Sequence, residues 1–291
     1  MKVDWPDELV AAIARRRSVL FLGAGISHQA TNTTGQHPPM WAEFLEKATA
    51  KVQGPEVLRK EITRLIRRRD FLTACEVIKG KLGATFEAVL SQEFLTPAFQ
   101  AADIHTSITK LDSRIVATPN YDKIYETHIN HLQSNSVVTK NYYDPGIAAS
   151  MPSPSRLVLK VHGTIDNPQQ MIFTRSEYAE ARHKYRSFYA ILEALAVTHT
   201  FLFLGCGLDD PDIRLVLEDH AFLHQYSAPH YFVLPKNSVH KCIRPAIEHS
   251  LNVSILTYDS AGQHALLKDS IDDLVLLVNE KRIELIDSAN W

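Results

Sequence analysis

Four short stretches hold residue types that could do chemistry together. Gly23-Ala-Gly-Ile-Ser27 closes an apolar run that begins at Ser18, and its glycines lack the Cβ that would hold a phosphate away from the backbone. Amides bared in such a turn, and the positive end of a helix that follows, attract phosphate oxygens, as in dinucleotide-binding βα units. The full Gly-x-Gly-x-x-Gly fingerprint is not met, because position 28 is His, and taken alone the turn is as compatible with a plain bend as with a nucleotide site. Thr118-Pro-Asn-Tyr-Asp122 offers the Asn120 amide and the Asp122 carboxyl, which can position a polar ligand or cap a helix that begins near Tyr121. His162 follows an apolar strand and precedes Gly163. Histidine is the side chain best poised for proton transfer near neutral pH, although a lone one is more commonly held by a backbone carbonyl. Gly205-Cys-Gly207 is a second small-residue turn. Beyond it Asp209, Asp210 and Asp212 suit the cap of a helix with Pro211 in its first turn better than a metal site, for which they lack convincing partners.

Elements must bring these stretches together. Leu9, Val10 and Ile13 share one face of a helix over 7–17, which leads into a buried strand over 19–22. Residues 30–39 are polar with two prolines and read as a loop that can close over the glycine turn. Helical patterns then occupy 41–52, 55–69, 71–82 and 86–94. In the second, Leu58, Ile62, Leu65 and Ile66 make one apolar stripe, while Arg64, Arg67, Arg68 and Arg69 read as a solvated face. No strand pattern interrupts this run, so it forms an inserted helical subdomain rather than one crossover.

Strand and helix alternate afterwards: helix 104–111, strand 114–117, helix 121–132, strand 157–161, helix 176–197, strand 200–204, helix 211–223, strand 230–234, helix 238–249, strand 253–258 and helix 263–279. This order predicts an α/β fold, a doubly wound parallel sheet covered on both faces. Ligands of such sheets bind at the carboxyl ends of the strands, where each of the four stretches falls.

Composition bounds the rest. The 291 residues are 45% hydrophobic and 22% charged, which excludes the disordered class. Lys and Arg number 31 against 33 Asp and Glu, a net charge of −2, so no global field recruits nucleic acid or an anionic membrane. The three cysteines, Cys75, Cys206 and Cys242, are too scattered for a Cys-x-x-Cys zinc pair or a disulfide framework and point to a reducing, cytoplasmic compartment. Acidic Asp4, Asp7 and Glu8 precede any apolar run, unlike a signal peptide, and no stretch approaches the roughly 18 apolar residues of a membrane span.

Taken in order, Gly23-Ala-Gly-Ile-Ser27, Thr118-Pro-Asn-Tyr-Asp122, Lys160-Val-His-Gly163 and Phe203-Leu-Gly-Cys-Gly207 resemble the motifs of the sirtuin superfamily, over about residues 15 to 280. The Thr-x-Asn-Tyr-Asp form, the helical insertion and Thr174-Arg-Ser-Glu-Tyr178 resemble more closely the bacterial Sir2-like proteins of antiphage defence. Deacylating sirtuins carry a zinc module with paired Cys-x-x-Cys motifs, which three isolated cysteines cannot build, so no metal is expected.

The resemblance implies a single Sir2-like domain over 1–291. Its Rossmann-like core would span about 7–35, 101–165 and 198–280, with the helical insertion at about 40–100 and a second helical segment at about 170–197. It implies NAD+ as substrate, cleaved at the nicotinamide–ribose bond by water to nicotinamide and ADP-ribose, so that NAD+ depletion halts an infected cell. On this reading Gly23, Ala24, Gly25 and Ser27 hold the diphosphate, Gly205 and Gly207 let the adenosine half lie against the backbone, and Thr118 and Tyr258 complete the NAD+-binding set. Asn120 positions the ribose or the attacking water, His162 acts as general base, and Asp122 helps hold the nicotinamide end or its loop. With no obvious sensor or effector unit beside the Sir2-like one, regulation is expected from outside, by assembly into a homo-oligomer or by a separately encoded partner, which by family analogy would be an ATPase and DNA translocase; the charge balance and the lack of a span lead to no expected nucleic-acid contact and no membrane. A protein deacylase or ADP-ribosyltransferase using the same pocket, and a non-catalytic nucleotide-sensing subunit, are the competing readings.

Overall fold

A computed structural model describes residues 1–288 except 134–135, 209–210 and 225, and leaves out the side chains of 211 and 212. The strands are β1 (Ser18–Leu22), β2 (Ile115–Thr118), β3 (Val138–Asn141), β4 (Leu157–Lys160), β5 (Thr200–Leu204), β6 (His230–Pro235) and β7 (Val253–Tyr258). They form one seven-stranded sheet in the order β3-β4-β2-β1-β5-β6-β7, every pair parallel. The helices of the first half are α1 (Asp7–Ala14), α2 (Ala24–Ser27), α3 (Trp41–Lys51), α4 (Glu56–Arg67), α5 (Phe71–Leu82), α6 (Thr85–Leu90), α7 (Asp103–Lys110) and α8 (Ile124–Leu132). The rest are α9 (Ile147–Ser150), α10 (Arg175–Lys184), α11 (Arg186–Thr198), α12 (Pro211–Leu223), α13 (Arg244–Leu251) and α14 (Ala265–Asp287).

A sheet buried on both faces needs apolar residues at consecutive positions, and successive side chains then go to opposite sides. Leu20, Leu22, Leu202 and Leu204 accordingly pack under α1, α7, α8 and α14, while Val19, Phe21, Phe201 and Phe203 pack under α10, α11 and α12. From β1 the chain winds towards β2 on the first face. From β5 it winds away through β6 and β7 with α12 and α13 on the second. The winding reverses between β1 and β5, and their carboxyl ends open the crevice expected at such a switch point.

Helices α3 to α6, with a π-helical turn over Ser91–Leu95, build a core of their own. Phe44, Phe86 and Phe173 interlock at its centre, Phe86 meeting Phe173 edge-on at 5.3 Å between centroids. Tyr121 and Phe173, which follow β2 and β4, belong to this core and pack 4.4 Å apart. The helical layer is thereby fastened to the loops that carry Asn120 and His162.

The structure departs from the sequence reading at several borders. The helix expected over 176–197 is two, α10 and α11, because the chain bends at Tyr185 (φ −113°, ψ 41°). That expected from 121 begins at Ile124, whose amide is taken by the Asp122 carboxylate at 3.0 Å. The one expected over 238–249 starts at Arg244, with proline in its first turn, and the last runs on to Asp287. Strand β3 was not anticipated: Val-Thr-Lys-Asn has no apolar run, and all four residues are half-buried at the sheet edge.

Of the buried histidines, His105 and His230 are held furthest from their ordinary titration. Burial holds His105 down at about 4 and, with its neighbour His220 adding to the effect, His230 down at about 3. The unfolded chain titrates them near 6.5. Below about pH 6.5 the unfolded state therefore binds protons that the folded state refuses, and stability drops as pH falls towards 4. The urea midpoint should decline steadily between pH 7 and pH 4.5; a flat midpoint across that window would contradict the neutral burial of both rings.

Candidate active site

The crevice is built first from backbone. The Gly23 amide donates to the Leu204 carbonyl and the Gly25 amide to the Gly205 carbonyl, each at 2.9 Å, so the turns after β1 and β5 are bonded to one another. Their contact leaves no room for side chains. A Cβ on Gly23 would lie 2.5 Å from the Gly205 oxygen, and one on Gly205, at φ +64°, would lie 2.5 Å from the Ile26 nitrogen. The glycines thus serve each other's close approach, and the amides of Gly23 and Gly25, expected to be bare, are spent on this pairing. The Ala24 amide stands outside it.

Asn120 ties the next strand end to this turn. Thr118, the last residue of β2, donates its hydroxyl to the Leu22 carbonyl at 2.6 Å and accepts the Asn120 amide at 3.1 Å. The Asn120 side-chain Nδ2 donates to the Gly23 carbonyl at 2.9 Å and to the Ser27 hydroxyl at 2.8 Å. A carbonyl can only accept, so the amide group has one orientation, and what Asn120 can offer a ligand is the acceptor Oδ1.

His162 comes from the end of β4. It is buried, and the ring of Tyr178 from α10 meets its own edge-on, with centroids 5.1 Å apart and the tyrosine hydroxyl 3.5 Å from Nδ1. Asp122, also buried, accepts the Ile124 amide at the start of α8 on its carboxylate, and its carbonyl accepts from the ammonium of Lys160. Lys160 pairs in turn with Glu126 at 2.8 Å. Burial, reinforced by the Asp122 charge and opposed by Lys160, raises the Glu126 carboxyl above the usual carboxylate range.

The helical layer supplies the facing wall, and together they enclose about 520 Å³, within the range of small-molecule and cofactor sites. Trp41, Phe71 and Phe94 line it with Pro38 and Pro39 of the 30–39 loop, beside the guanidinium-bearing Arg69, Arg175 and Arg214. Three polar links tie α5 to the start of α10: Arg175 to Asp70 at 3.1 Å, Ser176 to Glu76 at 2.8 Å, and Lys79 to Glu177. Against the upward push of burial, hydrogen bonds from Thr73 and the Arg175 charge hold the Asp70 carboxyl below its ordinary value.

Gly23, Ala24, Ser27, Asn120, Asp122, His162, Gly205 and Gly207 all line this one cleft. Gly25 and Thr118 stand behind it, as the contacts above describe. Tyr258 is not brought to it: at the end of β7 its hydroxyl bonds to His264 Nδ1 at 2.8 Å, and burial raises its pKa to about 12. Asp209 and Asp210, and the side chain of Asp212, lie outside the described residues. Among those described, no cluster of three or more His, Cys, Asp and Glu could hold a metal ion. Sequence reasoning missed Arg69, which sits on the exposed face read as solvated yet turns into the cleft at φ +61°, along with Arg175, Arg214 and the Lys160–Glu126 pair. Lys160 left a signal, a charge at the end of an apolar strand, and Arg175 stood within the Thr174-Arg-Ser-Glu-Tyr178 stretch without being marked as a site residue.

Residues 114–256 match the family model described as a SIR2-like domain. The chain is 27% identical over 230 residues to a protein of Enterococcus faecium named NAD(+) hydrolase ThsA, covering 77% of this chain and 44% of that protein. A protein of the same name from Cytobacillus dafuensis is 22% identical over 211 residues, 72% of this chain and 39% of its own length. Defense-associated sirtuin 2 of Bacillus subtilis is 24% identical over 219 residues, 74% and 20% of the two chains. The chain thus spans less than half the length of the curated relatives it matches.

The contact between the two glycine turns can be probed directly. Gly205→Ala should cost about 2 kcal/mol or more, from a left-handed backbone and a clash with Ile26. Gly262→Ala, at a similar φ of +65° but in open space, should cost about 1 kcal/mol. Thermal denaturation of both variants checks the difference; equal losses would mean that the turns do not depend on their mutual packing.

Proposed function

We propose that this chain, through its Sir2-like domain, is an NAD+ glycohydrolase that releases nicotinamide and ADP-ribose and so depletes NAD+ in antiphage defence. The observation that carries the reading is the convergence of Asn120, Asp122 and His162 with the two glycine turns on one cleft. The names of the relatives, hydrolase and defence protein alike, support it.

Each residue then has a task set by its surroundings. Nicotinamide in NAD+ already bears positive charge and leaves without protonation, so the site must orient the ribose, stabilise an oxocarbenium-like centre and deliver water. Asn120, locked by Gly23 and Ser27, presents Oδ1 to a ribose hydroxyl or to the water. His162 takes the proton as that water attacks, and the buried Tyr178 ring limits the motion of its imidazole. Asp122, held at both carboxylate and carbonyl, borders the nicotinamide end. Arg69, Arg175 and Arg214 supply the positive charge that a diphosphate needs beside turns whose amides are largely engaged.

The protein is read as cytoplasmic, which agrees with three cysteines that form no disulfide. No described helix is long and apolar enough to cross a membrane. Self-assembly is part of the proposal and is supported by exposed Leu276, Ile283 and Ile286 on α14. The separately encoded ATPase partner rests on the family resemblance alone.

Incubating the purified chain with NAD+, alone and with the products of neighbouring genes, tests the activity. Nicotinamide should appear without any acylated peptide; release only when such a peptide is supplied would make the protein a deacylase, and binding without release a sensor. Asn120→Ala and His162→Ala should each lower release by about 100-fold or more while the melting temperature stays within a few degrees.

A further inference from the structure

Lys160 has no task in the chemistry just described, yet it is among the most buried side chains of the molecule, 1% exposed at the end of an otherwise apolar strand. Its partner Glu126, on the first turn of α8, is 6% exposed. Stability does not account for such a pair. Taking two charges out of water offsets most of their attraction, and well-packed apolar replacements are often neutral or stabilising.

Placement suggests another reason. Lys160 is the register partner of Thr118 across the β2–β4 ladder, so the two stand side by side at the strand ends. Thr118 holds the loop by accepting the Asn120 amide, and Lys160 holds it by donating to the Asp122 carbonyl. Between these two grips lie Asn120, Tyr121 and Asp122; two residues beyond Lys160 on its own strand is His162. Glu126 fixes the ammonium from the far side at 2.8 Å.

We propose that Lys160 and Glu126 are a positioning pair, whose ammonium clamps the Asn120–Asp122 loop to the strand end carrying His162 and so fixes the amide and the imidazole relative to one another. Apolar side chains could fill the same volume, but they could not hold a backbone carbonyl. The inference rests on the reading of Asn120 and His162 as catalytic residues and adds two residues which that reading does not use.

The test replaces the pair with apolar side chains, as Lys160→Met/Glu126→Leu. The double variant should melt within a few degrees of the parent and keep its KM for NAD+ within about threefold, while kcat falls by about 10- to 100-fold, the scale of a small misplacement. A folded double variant with parental kcat overturns the proposal. If it does not fold, Lys160→Leu/Glu126→Met, which likewise leaves the Asp122 carbonyl without a donor, carries the same test with the same expected split, and failure of both to fold assigns the pair to stability and overturns its positioning role. A parent that releases no nicotinamide under any condition defeats the activity reading but leaves this one open to amide exchange. Amides of residues 120–123 should then exchange about tenfold faster in the folded variant while those of β5 hold their parental rates. Unchanged exchange in the loop overturns the clamp.

Discussion

Two backbone turns that touch because neither carries a side chain set the geometry of the whole site. The contact of Gly23 and Gly25 with Gly205 joins the ends of β1 and β5 in the register that runs from Ser18 beside Thr200 to Leu22 beside Leu204. That register places the reversal of winding, and the crevice, between the same two strands. It also leaves the Gly23 carbonyl for Asn120, so the orientation of one side-chain amide follows from the absence of two methyl-sized groups elsewhere.

The sheet was legible because its information is local. Runs such as Ser-Val-Leu-Phe-Leu and Thr-Phe-Leu-Phe-Leu are apolar at every position, which a strand covered on both faces requires and few other elements tolerate. Edge strand β3, with one flank open, faces no such demand and left no pattern. The candidate site was legible where backbone constraints demand particular types: glycines at the crowded turn, Asn120 and Asp122 after β2, His162 after β4. It was illegible where a side chain reaches the cleft from the helical layer. Nothing in the arginine run distinguishes Arg69 from Arg67 or Arg68, and the pairing of Lys160 with Glu126 depends on a fold that brings β4 and α8 together. Tyr258 shows the converse: it ends a strand of the right sheet, but its hydroxyl bonds to His264, away from the cleft.

Charge is gathered at the cleft in a way that composition conceals. A chain with a net charge of −2 gathers three arginines at one cleft and pairs Arg175 and Arg214 with the carboxylates of Asp70 and Glu218. The strand ends contribute the Asn120 amide, the His162 imidazole, the Asp122 carboxylate and one buried ion pair, turned inward on the loop.

The seam between the helical layer and the start of α10 has a mechanical meaning. Asp70, Glu76 and Lys79 grip residues 175 to 177, and the very next residue is Tyr178, whose ring rests on the imidazole of His162. The outer layer is thus joined to the imidazole by one hydrogen-bonded row and one aromatic contact, alongside its attachment through Phe173 and Tyr121. A tilt of the outer layer would therefore bear on that ring together with the loops that Tyr121 and Phe173 fasten to it, which makes α5, the start of α10 and the two strand-end loops a single linkage.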